Sequence, residues 1–134
     1  MLAWTPSLNI GVPEIDAQHK ALFERAGRFH AAVKAHEHNF RLEDLFGYLA
    51  NYARVHFAAE EQFMSDVGYP RLAEHVQEHS EFSHRLLSLV PKWESEDDLT
   101  AALAGLLEFL DSWLMDHVTK SDQRVGDFVR NRRN

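Results

Sequence analysis

Four stretches of this 134-residue chain repeat apolar residues at steps of three and four, and that rhythm restricts the fold more than any other feature of the sequence. Such spacing keeps side chains on one face of an α-helix, whereas a half-buried strand needs a step of two. The first stripe runs through Ile15, His19, Leu22, Ala26, Phe29 and Val33. The second takes Leu42, Leu45, Leu49, Tyr52, His56, Glu60, Phe63 and Val67. Leu72, His75, His79, Phe82, Leu86 and Leu89 make the third, and Leu99, Leu103, Leu106, Leu110, Trp113 and His117 the fourth. The punctuation agrees. Asp16 is a plausible N-cap for the first helix, Gly68 stops the second, Pro70 opens the third and Pro91 closes it. The acidic run Glu94, Glu96, Asp97 and Asp98 favours a helix N-terminus before the fourth.

Four amphipathic helices with short connections predict an all-α fold, an antiparallel up-down-up-down four-helix bundle in a single domain over residues 1–134. An extended N-terminal arm is expected to fold back through Trp4, Leu8 and Ile10, and a short C-terminal segment follows the fourth helix. The basic cluster Arg124, Arg130, Arg132 and Arg133 in that segment reads as solvated. With 14 Lys and Arg against 21 Asp and Glu, the net charge of −7 repels phosphate backbones and argues against a nucleic-acid partner. No stretch approaches the roughly 20 apolar residues of a membrane span, and the start lacks the pattern of a secretory signal, so a cytoplasmic location without membrane insertion is expected. The absence of cysteine excludes thiolate metal sites, disulfides and cysteine nucleophiles.

The histidines carry the chemistry. His19, His56, His75, His79 and His117 lie on the core lines of their own helices, each with a large apolar or aromatic residue one turn away. One such imidazole is commonly a core residue satisfied by a backbone carbonyl, but five together with Glu60 and Asp122 leave many buried polar groups to satisfy. A metal satisfies them at once. Residues four apart on a helix are offset by about 40° and about 6 Å, so His56 with Glu60, and His75 with His79, can converge on one ion. Asp122 follows His117 by five residues, a rotation of about 140° on a regular helix, so the fourth helix is expected to loosen near Thr119 to Ser121. Five imidazoles and two carboxylates exceed the needs of one ion and suit two, with iron, manganese, zinc or copper compatible with nitrogen and oxygen donors. Two octahedral ions sharing both carboxylates and one solvent bridge would leave a single position open. His30, His36, His38 and His84 lie off this set and read as surface residues, as do Glu61, Gln62, Glu74 and Glu78.

The pattern of a first-helix histidine, then H-x3-E, H-x3-H and H-x4-D, together with the segments GVPEIDAQH, HFAAEEQFM, GYPRLAEHVQEH and WLMDHVTKSD, resembles the hemerythrin family in its single-domain bacterial form. That resemblance implies two iron ions, ferrous or ferric, joined by an oxo or hydroxo bridge. One would be held by His75, His79 and His117, the other by His19 and His56, with Glu60 and Asp122 bridging. It further implies a non-enzymatic protein that binds dioxygen reversibly for storage, delivery or sensing, with an unidentified protein as possible recipient of the oxygen. An apolar oxygen pocket maps onto Leu22, Phe57, Trp113, Leu114 and Val118. The competing expectation is a di-iron enzyme or scavenger acting on peroxide or nitric oxide. Some relatives carry a tyrosine three residues after the bridging aspartate, where this chain has Val125.

Overall fold

The computed structural model of the chain describes residues 4–34, 42–89 and 99–132. A short 3-10 turn, Pro6–Leu8, precedes four long helices: α1 (Pro13–Lys34), α2 (Leu42–Val67), α3 (Leu72–Ser88) and α4 (Leu99–Asp116). The chain then passes through a π-helical turn, His117–Ser121, directly into α5 (Asp122–Arg132). α1 packs against α2 and α4, and α2 against α3, while ring contacts of Phe82 with Phe109 and Trp113 join α3 to α4. The expected all-α bundle is therefore present. Its fourth helix, however, continues past the turn, so the C-terminal segment is itself a helix. Among the described residues no helix is long and apolar enough to cross a membrane.

Local chemistry sets the ends. Pro13 occupies the first helical position of α1, where a missing N–H costs nothing, and Asp16 N–H makes the first bond to Val12 C=O at 2.9 Å. Asp16 is thus not the N-cap expected from sequence. It sits inside the first turn, and its carboxylate reaches back to accept from the N–H groups of Ile10 at 2.7 Å and Gly11 at 3.2 Å. Gly11 has φ 90°, a left-handed conformation that glycine adopts without a Cβ clash. Gly68, φ 72°, ends α2 in a Schellman motif: Tyr69 N–H bonds Met64 C=O at 2.9 Å and Gly68 N–H bonds Ser65 C=O at 3.2 Å. Pro70 lies in the ensuing turn, and α3 begins two residues later. The side chains of Val33, Leu42, Leu99 and Leu103, the stop at Pro91 and the acidic run from Glu94 to Asp98 lie outside the described residues.

The N-terminal arm is docked as expected, although its middle is a helical turn instead of an extended strand. Ile10 is fully buried, and Trp4 and Leu8 pack on the core. Gln123 on α5 donates to Leu8 C=O at 2.6 Å. A Cβ at Gly126 would sit 3.0 Å from Ile10 Cα, so the arm and α5 approach closely enough that a side chain there would require one of them to shift. The basic residues Arg124, Arg130 and Arg132 are exposed as expected, and two of them make surface contacts: Arg132 donates to Val67 C=O at the end of α2 at 2.8 Å, and Arg130 pairs with Asp127. Arg133 lies outside the described residues.

Candidate metal centre

Seven residues meet between the helices through their side chains, none of the residues more than 2% exposed. α1 supplies His19, α2 His56 and Glu60, α3 His75 and His79, the π turn His117, and the first residue of α5 Asp122. The five-residue step from His117 to Asp122 is resolved as anticipated. Asp122 N–H bonds the carbonyl of His117, an i→i+5 turn that brings the fifth residue beneath the first and turns its carboxylate inward. Thr119 hydroxyl bonds Met115 C=O one turn back.

The two carboxylates are shared in an ordered way. Asp122 Oδ1 lies 2.9 Å from His75 Nε2 and 3.1 Å from His117 Nε2, while its Oδ2 lies 3.1 Å from His19 Nε2. Glu60 Oε1 touches His75 Nε2 and stands 3.3 Å from His79 Nε2 and 3.7 Å from His117 Nε2. Its Oε2 faces the other way, 2.9 Å from His56 Nε2 and 3.5 Å from His19 Nε2. Two groups of donors result: Glu60 with His75, His79 and His117, and Glu60 and Asp122 with His19 and His56, each group confined within 4.8 Å.

Such spacings suit cations. Metal–nitrogen bonds of about 2.1 Å place neighbouring donors about 3 Å apart and opposite ones about 4.2 Å apart. The Nε2 atoms of His19 and His56 are 3.0 Å apart, and those of His79 and His117 are 3.2 Å apart. Glu60 Oε2 and both Asp122 oxygens are buried without a properly directed hydrogen bond, although ring nitrogens surround them. Lone pairs that converge on a common point, instead of on one another's hydrogens, are the arrangement a coordinated ion satisfies.

Electrostatics agrees. Burial disfavours the charged form of His19 and His75, yet the adjacent Asp122 and Glu60 outweigh it and raise both to about 9. His117 is also raised, against burial, by Asp122 and Glu60. His56 goes down, because burial prevails over its contact with Glu60. Glu60 and Asp122 are both held below the ordinary carboxylate range: burial alone would raise them, and the surrounding imidazoles reverse the sign. The cavity thus attracts positive charge, which protons or metal ions can supply.

Three residues outside the expected set stand at the outer nitrogens of the rings, and two of them hydrogen-bond there. Gln18 Oε1 accepts from His56 Nδ1 at 2.6 Å, and Glu61 Oε2 from His79 Nδ1 at 2.8 Å. A proton fixed on Nδ1 leaves the Nε2 lone pair facing the cavity. Glu78 stands 3.7 Å from His117 Nδ1 and accepts from Ser121 hydroxyl at 2.7 Å; the His117 contact is the main reason its carboxyl lies near 2, against the opposing effect of burial. Glu61 and Glu78 therefore do not belong wholly to the solvated face on which sequence placed them, whereas Gln62 and Glu74 do, pairing with Asp66 and Arg71. The available signal was adjacency: each of the three stands next in sequence to a site residue. His84 is exposed as expected. His30 is only half-exposed and bonds Asp111 at 3.0 Å, and His36 and His38 lie outside the described residues.

Apolar residues surround the cluster. Leu22, Leu114 and Val118 are at most 1% exposed and Phe57 6%. Phe57 stacks on His79 with ring centres 3.9 Å apart, and the half-buried Trp113 stacks on His117 at 4.4 Å. Both aromatic rings thus cover the three-imidazole group. Tyr52, one turn before His56, stacks on that ring at 4.8 Å, and its buried hydroxyl is held neutral by desolvation.

A family model described as a hemerythrin HHE cation binding domain matches residues 10–129. The chain belongs to the hemerythrin family. It is similar to a bacteriohemerythrin of Pseudomonas aeruginosa, 33% identical over 96% of this chain and 82% of the relative. Bacteriohemerythrins of Stenotrophomonas maltophilia (29% identical, covering 97% of this chain and 82% of the relative) and Clostridium acetobutylicum (28%, covering 95% and 100%) are similar as well. Membership in the hemerythrin family implies non-haem iron, and the buried cluster offers this chain's imidazole and carboxylate donors for it.

Proposed function

We propose that this chain, as one domain, binds dioxygen reversibly at a pair of non-haem irons. The observation that carries the reading is the division of both buried carboxylates, each offering one oxygen to His19 or His56 and the other to the three-histidine group. His75, His79 and His117 would hold one iron and His19 and His56 the other, with Glu60 and Asp122 bridging them beside a single oxo or hydroxo oxygen. When bound, the iron pair would supply the electrons that dioxygen takes on binding and returns on release.

The protein's own part is selection and protection. Five neutral imidazoles against two carboxylates favour the ferrous state more than a carboxylate-rich set would. Gln18 and Glu61 fix ring orientation, so the donors need not reorganise when metal arrives. Leu22, Phe57, Leu114 and Val118, with Trp113 over His117, keep water from the centre as a whole, which suits a role in storage, delivery to a protein recipient or sensing, and not turnover. Protein loaded with iron anaerobically should develop a new absorption band in air and lose it when oxygen is stripped, with two irons bound per chain. Irreversible bleaching with iron retained would defeat the reading.

Tyr52 gives the enzymatic alternative its specific support. A neutral buried phenol beside His56 is a proton source for peroxide or nitric oxide chemistry. Turnover of either substrate that disappears in Tyr52→Phe, with dioxygen affinity unchanged, would favour that alternative.

A further inference from the structure

Ligands this deeply buried require a way in for the metal, and among the described residues three surface depressions reach a ring of the cluster. One, only about 10 Å³, touches His75 and balances Glu74 and Glu78 against Arg71 and Arg124. A second, of about 170 Å³ between α1 and α2, reaches His56 past Gln18, Asn51 and Val55 and bears no formal charge. The third, about 150 Å³ between α3 and α4, ends on His117 and sets Glu78, Glu81 and Asp116 against Arg85. Arg85 is drawn over the Phe109 ring, 5.4 Å from its centre, and the pairing of Asp116 with Lys120 is exposed and long, at 3.5 Å. At the inner end, His117 Nδ1 is buried without a hydrogen-bond partner on a side chain 2% exposed.

We propose that the α3/α4 cleft is the entrance through which a divalent cation reaches the centre. Glu81 and Asp116 gather the hydrated ion at the rim, and Glu78, 3.7 Å from His117, hands it to the imidazole end of the cluster. Carboxylates replace water and imidazoles replace carboxylates; no covalent bond or redox state in the protein changes. Charge selects this route over the other two, because its three carboxylates outnumber the one guanidinium, and a cleft with an excess of one sign of charge concentrates its counter-ion. The inference rests on the metal-centre reading above and adds the path to it.

The test is anaerobic uptake of cobalt(II) by the metal-free full chain, followed by absorbance in a stopped-flow instrument. The double variant Glu81→Gln, Asp116→Asn should slow uptake roughly three- to tenfold at low salt while reaching the same final metal content and circular dichroism. The difference should shrink at about 1 M salt, where screening acts within about 3 Å. Glu14→Gln with Glu24→Gln, an equal change in net charge on α1, should load at the native rate. Uptake unchanged in the first variant, or slowed equally in the second, overturns the route while leaving the centre intact. A native chain that takes up no cobalt overturns the metal-centre reading and the route together.

Discussion

The core of this bundle is made of opposite materials at its two ends. Toward one end Leu45, Leu49, Leu106, Leu107 and Leu110 are buried against one another and against Phe29 and Leu86. Toward the other, seven polar side chains fill the same axial space, closed beyond by a smaller cluster of Ile10, Ile15, Met64, Tyr69 and Val125. Burial of the leucines stabilises the fold in any solvent that favours folding. Burial of two carboxylates and five imidazoles is costly until positive charge occupies the space between them. The leucine end therefore carries the architecture, and the histidine end makes stability conditional on a ligand.

The largest expected effect breaks that contrast directly. Removing metal with a chelator should lower Tm by on the order of 15 °C, because a ligand at a thousand times its Kd contributes about 4 kcal/mol to a domain of this size. Scanning calorimetry of the iron-loaded and metal-free protein checks it, and equal Tm values would mean that the polar end sustains itself. Next in size, Leu110→Ala should cost about 2–5 kcal/mol by leaving a cavity. It should do so equally with and without iron, leaving metal content unchanged. A loss confined to the iron-loaded form would show that the two ends are not separable.

A smaller effect concerns the charge that takes the metal's place. In the metal-free protein His19 and His75 titrate near 9, raised from 6.5 by Asp122 and Glu60 despite burial. Raised folded values mean that their contribution is complete below pH 6.5 and is lost as pH climbs through 9. Tm of the metal-free chain should therefore fall by several degrees across that interval, while the iron-loaded chain, its cations already in place, changes little. His56 works in the opposite sense below 6.5, where its lowered value penalises the folded state.

What sequence could disclose follows the same division. The stripes and the inward histidines were legible because helical periodicity is a local property, and the loosening before Asp122 could be inferred from a misfit of angle alone. Asp16 deceived because a short acidic side chain near a helix start suits both the cap and the first turn, and only the docking of Ile10 and Gly11 decides. Nor could periodicity reveal that Arg132 seeks Val67 or that Gly126 lies against Ile10; both depend on how distant segments pack. Glu61 and Glu78 were assigned to solvent because a residue beside a ligand is rotated about 100° off the core line, the angle at which a side chain is partly exposed and still able to reach the outer nitrogen of an imidazole.

That borderline position gives the finest test of the contrast. Glu61 accepts from His79 Nδ1 at 2.8 Å while its own side chain is 33% exposed, so it touches both the polar core and solvent. Glu61→Gln keeps an acceptor in place but removes the charge that makes the imidazole a stronger donor to metal. Metal affinity should fall about tenfold, near 1.4 kcal/mol, while the Tm of the metal-free chain stays within about 2 °C of the native value. Competition against a calibrated chelator measures the first and calorimetry the second. If both fall together, the Glu61–His79 contact stabilises the helices and does not tune the donor, and the boundary between the two ends of the core must be drawn further toward the surface.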